Sequence, residues 1–165
     1  MKRFFLSGDR ECGKSTLIKS IVDECKPDFE GFTTFFDHSR NHLLLKINKE
    51  DYYTIAERNE HGYMNANTRE LQKAGKTISK VISGNKILII DELGYIEQQS
   101  PEFMNEVEKI LQNAKKCICV LRENDNPFLK RIKQLPDYET IKLTRNNREE
   151  VLRKLIRAIC NKAGK

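Results

Sequence analysis

The run Gly8-Asp9-Arg10-Glu11-Cys12-Gly13-Lys14-Ser15-Thr16 fits the spacing G-x-x-x-x-G-K-[ST] at every specified position. Glycines at 8 and 13 allow backbone conformations closed to other residues, so the loop can curl tightly around an anion. Its N–H groups, and those opening the next helix, then point at phosphate oxygens. Lys14 can reach the β- and γ-phosphates, and the Ser15 hydroxyl suits Mg²⁺. Residues 8–16 are therefore expected to bind a nucleoside triphosphate. Cys12 sits inside this loop; it fits there as a small residue, and its oxidation or alkylation would obstruct nucleotide binding.

A second chemical unit is Asp91-Glu92, directly after the apolar run Ile87-Leu88-Ile89-Ile90. An Asp ending a buried strand can hold Mg²⁺ opposite Ser15, and the adjacent Glu92 is placed to activate a water. Asp91-Glu92-Leu93-Gly94 also fits the D-x-x-G of small GTPases, but their guanine-reading N-K-x-D occurs nowhere in the chain. The pair looks more like the ATPase division that sets a catalytic Glu beside the magnesium Asp. That likeness implies a sheet ordered 140–143, 4–6, 117–121, 87–90, with 32–36 outside. Asn147 and Arg148 begin the last helix, at the edge where a bound base would lie. An Arg stacking on a base tolerates any base identity. Arg58, Arg69 and Arg122 are candidates for an arginine that steadies transition-state charge.

These residues need elements to hold them. Phe4-Phe5-Leu6 reads as a buried strand, and Leu17, Ile18, Ile21 and Val22 repeat at helical spacing, with Pro27 stopping that helix. Residues 31–36 and 43–47 read as a strand hairpin around the polar turn 37–41. Residues 51–67 are mostly polar, with a short strand near 53–55 and room for substrate contacts or a lid. Leu71, Ala74, Ile78, Val81 and Ile82 mark a helix from Thr68. Ser100-Pro101 opens another, with Ser as N-cap and Pro at the first helical position. A buried strand at 117–121, a short helix from Asn126-Pro127, a strand at 140–143 and a helix capped by Asn146 or Asn147 complete the chain. Strand–helix alternation implies an α/β three-layer sandwich on a mainly parallel sheet, with ligands beyond the carboxyl ends of its strands.

The 165 residues suggest one domain spanning 1–165, and 38% hydrophobic with 33% charged residues is ordinary for a water-soluble protein. No apolar run suits a membrane span, and Phe4-Phe5-Leu6 is too short for a signal peptide core, so a cytoplasmic setting is expected. Net charge +6 is compatible with nucleic acid and does not require it. Five scattered cysteines without a secretion signal argue against a disulfide framework, and Cys117 and Cys119 read as core.

Taken together, several segments resemble the small nucleoside-triphosphatase family of thermophilic bacteria and its vertebrate cancer-related relatives. They are the early phosphate loop, Gly31-Phe32-Thr33-Thr34, Ile89-Ile90-Asp91-Glu92-Leu93-Gly94-Tyr95-Ile96-Glu97, Asn126-Pro127-Phe128-Leu129-Lys130-Arg131-Ile132, and Ile141-Lys142-Leu143-Thr144-Arg145-Asn146-Asn147-Arg148-Glu149. The resemblance covers nearly all of the chain apart from about 48–67. It implies a P-loop fold with a five-stranded core sheet and an added hairpin strand. It also implies Mg²⁺-dependent hydrolysis of ATP, GTP and other triphosphates with little base preference. Asp91, Glu92, Gly94, Glu97, Asn147 and Arg148 match positions of the family pattern. Tyr95 departs from it where Lys is frequent, and Phe35-Phe36 stand where acidic residues often follow G-F-x-T. Two other readings fit the same residues: a kinase with an acceptor site in 51–67, and a nucleotide-dependent module that binds RNA or protein.

Overall fold

The computed structural model describes residues 2–160 apart from 27, 50 and 125. In chain order the elements are β1 (Arg3–Ser7), α1 (Lys14–Cys25), β2 (Phe29–Phe36), β3 (His42–Ile47), β4 (Asp51–Arg58) and β5 (Met64–Ala66). Then follow α2 (Thr68–Val81), β6 (Ile87–Leu93), a short 3-10 turn, α3 (Pro101–Asn113), β7 (Lys116–Leu121), α4 (Pro127–Lys133), β8 (Glu139–Lys142) and α5 (Arg148–Ile159). Pro27, the expected helix stop, lies outside the described residues; α1 itself ends at Cys25.

The sheet runs β5-β4-β3-β2-β6-β7-β1-β8. Its parallel part, β2-β6-β7-β1-β8, follows the expected order, with β7 between the phosphate-loop strand β1 and the Asp91 strand β6. The antiparallel extension is longer than sequence patterning suggests: β3, β4 and β5 all pair there. Residues 51–67 are thus two strands rather than mainly loop. Their polarity comes from a sheet with one open face. Ile55 and Ala56, both buried on the other face, fall where the β3–β4 register shifts, which breaks the period-2 signal.

Alternating side chains give the sheet two cores. On one face Phe4, Leu6, Ile118 and Val120 pack with Leu17 and Ile21 of α1 and Val151, Leu155 and Ile159 of α5. On the other, Phe5, Phe32 and Ile90 pack with Leu71 and Ile78 of α2 and Phe103 and Val107 of α3. Each such side chain contributes about 1.5–3 kcal/mol on burial. This is the three-layer α/β arrangement.

One expectation fails. Cys25, ending α1, and Cys160, just after α5, form a disulfide with Cα atoms 5.2 Å apart. The two are 135 residues apart in sequence and meet because α1 and α5 lie side by side. No local spacing could reveal that pair. Cys12, Cys117 and Cys119 are free and buried.

Candidate active site

The phosphate loop is the turn between β1 and α1. Gly13 takes φ 95° as the N-cap of α1, and Leu17 donates its N–H to the Gly13 carbonyl at 2.9 Å. Gly8, with φ 156°, packs against the end of β8: a Cβ there would lie 2.5 Å from the Leu143 carbonyl oxygen and 2.7 Å from Cys12 Sγ. Both glycines of the motif are therefore required by geometry as well as by the anion. Lys14 Nζ donates to the Gly8 carbonyl at 2.6 Å and to the Asp9 carbonyl at 2.9 Å. Asp9, Arg10, Glu11, Ser15 and Thr16 are exposed around the cradle. A surface groove lies between α2 and α3, beside Gly75 and Glu106. A cradle of backbone N–H groups at a helix start needs no deep cavity.

Asp91 and Glu92 lie within the last residues of β6, adjoining the loop. Ser15 lies near enough to Asp91 to favour its ionised carboxylate, so the two expected metal ligands meet. Burial raises the Asp91 carboxyl above its usual range, against the pull of Ser15 and Lys14. Glu92 is likewise raised by burial, opposed first by Lys14 and then by Arg122, with Arg10 adding a smaller pull. Among the described residues no cluster of three His, Cys, Asp or Glu side chains could hold a metal alone. The oxygen pair Ser15 and Asp91 instead fits a hard cation that keeps waters and shares substrate phosphate oxygens, the usual habit of Mg²⁺.

Several further residues fix this strand end. Thr33 Oγ1 donates to the Asp91 carbonyl at 2.8 Å. The Leu93 carbonyl accepts from Arg122 N–H at 2.9 Å. Gly94 is clamped twice: its N–H donates to Glu97 Oε2 at 2.9 Å, and its carbonyl accepts from Asn126 Nδ2 at 3.2 Å. Asn126 also caps α4 through Phe128 and Leu129, so its helix-cap pattern concealed a second task. Glu97 is fully buried, and burial raises its carboxyl to about 7.

Of the three candidate arginines, Arg122 stands beside Glu92 and Gly94. Arg58 is held by the carbonyls of Arg40 and Gly62 in the antiparallel extension, and Arg69 opens α2, also away from the loop. Asn147 and Arg148 separate in role. Asn147 sits at the N-cap position of α5 without capping it. Its side chain donates to the Lys142 carbonyl at 2.9 Å and accepts from Thr144 N–H at 2.8 Å, tying β8 to the helix. Arg148 reaches the phosphate loop: its Nη1, Cζ and Nε lie 3.3–3.4 Å from the Cβ position of Gly13. Three near-equal distances mean that the guanidinium faces the glycine.

Comparisons with known proteins bear on the family and the fold. The nucleoside-triphosphatase THEP1 of Thermotoga maritima is 26% identical, with 93% of each chain covered. That of Methanosarcina acetivorans is 25% identical over 99% of this chain and 100% of its own. The crystal structure of THEP1 from Aquifex aeolicus superposes with a TM-score of 0.72 at 22% identity, covering 95% of this chain and 98% of that one. The solution structure of a human cancer-related nucleoside triphosphatase gives 0.77 at 18% identity, with both chains fully covered. At those identities the two structures establish the fold. The sequence also matches the family described as NTPase over residues 3–156, nearly the whole chain, and to that family of P-loop nucleoside-triphosphatases it belongs.

Proposed function

We propose that this chain hydrolyses nucleoside triphosphates to the diphosphate and phosphate, with Glu92 as the base that activates water. The observation that carries the reading is the junction of two strand ends. β1 delivers the phosphate loop, and β6, one strand removed, delivers Asp91 beside Ser15 with Glu92 directly after it. Lys14 would exchange the Gly8 and Asp9 carbonyls for the β- and γ-phosphates, balancing charge that develops there. A Mg²⁺ ion held by Ser15 and Asp91 would supply electrostatic stabilisation of the phosphate oxygens.

Glu92 is suited to its part because burial raises its proton affinity, while Lys14 and Arg122 limit the rise. A base whose pKa lies nearer neutrality accepts a proton from water more readily. Arg122, beside Glu92 at the end of β7, is the arginine we assign to transition-state charge. Arg148 would hold the nucleoside end of the substrate with the guanidinium face turned away from Gly13. A stacking contact of that kind accepts ATP, GTP and other triphosphates alike.

A phosphate-release panel over ATP, GTP, CTP and UTP with Mg²⁺ tests this, using wild type and Glu92→Gln. Release from all four without an acceptor is expected, and Glu92→Gln should bind nucleotide but turn over about 10²-fold or more slowly, as for loss of a general base. Near-normal hydrolysis by that variant would remove Glu92 from its role. Diphosphate formed only when a nucleoside acceptor is added, with the phosphoryl group on the acceptor and no free phosphate, would instead indicate a kinase.

A further inference from the structure

The antiparallel extension presents two faces of different character. Phe32, Leu45, Ile47 and Ile55 point into the core under α2. Phe35, Leu44, Lys46, Tyr52 and Thr54, at alternate positions, point the other way. Register sets these residues in rows across the strands. Asp91, Thr33, Lys46 and Tyr52 form one row, and Phe35, Leu44 and Thr54 the next. α1 and α5, which cover the far part of this face, pack on β1 and β7. The face over β2, β3 and β4 is left open, with Phe35 38% and Tyr52 55% exposed.

The two rings meet edge to face across β3, with centroids 6.4 Å apart, and Lys46 Nζ lies 4.9 Å from the Tyr52 centroid. Aromatic rings beside a lysine on an open sheet are the elements of a base-stacking platform. In the third row Asp37 is hydrogen-bonded to His42, and Glu57 stands across from that histidine.

We infer that the open face of β2, β3 and β4 binds single-stranded nucleic acid, with unpaired bases stacked on Phe35 and Tyr52 and the phosphate backbone held by Lys46. A single small nucleotide would gain little from so open a surface, since small-ligand sites enclose most of their ligand. A polymer adds phosphate contacts along the row, and the net charge of +6 favours it. The first row ends at Asp91, so the bound strand would run toward the triphosphate site. Three strand spacings, about 14–15 Å, separate β4 from β6.

Fluorescence anisotropy with labelled oligo(U), oligo(dT) and a duplex, in the absence of triphosphate, tests the surface independently of hydrolysis. Lengths of about 12 nucleotides suit a site of this size. Both single strands should bind more tightly than the duplex, and more weakly as salt rises; the ratio between them reports whether the 2′-hydroxyl is read. Phe35→Ala and Tyr52→Ala should each weaken binding about 5- to 100-fold, as expected for loss of one stacked base. Phe35→Tyr and Tyr52→Phe keep the rings and should bind as wild type. Lys46→Gln should lower the salt slope by about one. Phosphate release by Tyr52→Ala without nucleic acid should equal that of wild type. No binding at low salt, equal binding of duplex, or wild-type affinity in the folded alanine variants would overturn the inference.

Discussion

Lys14 Nζ donates to two carbonyls of its own loop, Gly8 and Asp9. A triphosphate offers the same ammonium stronger, charged acceptors. Lys14→Ala should therefore lose most nucleotide affinity while leaving the fold intact, which calorimetry with a non-hydrolysable triphosphate can measure; unchanged affinity would remove Lys14 from the cradle. Glu97 gives a prediction with a sign fixed by its proton affinity. Its folded pKa, about 7, lies above the ordinary 4.5 of a glutamate carboxyl. The folded state thus holds a proton that the unfolded chain releases, and stability falls as pH rises through that window. Glu97→Gln retains an acceptor for the Gly94 N–H without the buried charge. Denaturant unfolding should show the two proteins near parity at about pH 5 and the variant more stable at pH 8, by on the order of 3 kcal/mol. A constant difference across pH would refute this. The loop residues were legible because anion chemistry restricts residue type at fixed spacing. Glu97 and Asn126 lie in segments that resemble the family pattern, but the bond from Asn126 to Gly94 was not legible, since it spans 32 positions.

Helices and central strands were legible because burial on one face or two leaves a period of 3.6 or a continuous apolar run. β2 shows where that signal stops. Its first residues, Phe29 and Glu30, precede the strand expected from Gly31, yet Glu30 is buried and accepts N–H bonds from Ser83 at 2.8 Å and Gly84 at 2.6 Å. An ionised carboxylate in a strand counts against burial until the turn that satisfies it is known. The α1–α5 pairing carries an element-scale prediction through Cys25–Cys160. Closing a loop of that length corresponds to about 5 kcal/mol in a chain-entropy description, and measured disulfides typically give 2–4 kcal/mol. Reduction should lower unfolding stability by about that amount. Alkylation in denaturant should label three cysteines without reductant and all five with it. Five labelled without reductant would exclude the bond.

At the scale of the whole molecule, the site is assembled from parts that belong to different cores. The loop and α1 pack with Leu155 and Val151 of α5 on one face, while Leu93 and Phe128 around the Gly94 clamp belong to the other. β1, β6 and β7 are the strands common to both, and each brings part of the proposed site to its carboxyl end: the loop after β1, Glu92 near the end of β6, Arg122 after β7. A bound triphosphate would contact all three, so its binding energy should be felt by the global unfolding transition rather than by one local segment. Ligand at about 100 times its dissociation constant stabilises a folded protein by about 2.7 kcal/mol. For a chain of this size that corresponds to a Tm rise of about 5–10 °C. Differential scanning fluorimetry with a non-hydrolysable triphosphate and Mg²⁺ should show that rise in wild type and in Glu92→Gln, and little of it in Lys14→Ala. A shift retained in Lys14→Ala would mean that the ligand binds elsewhere than the phosphate loop. A shift in wild type that vanishes in Glu92→Gln would mean that Glu92 holds the nucleotide rather than the attacking water.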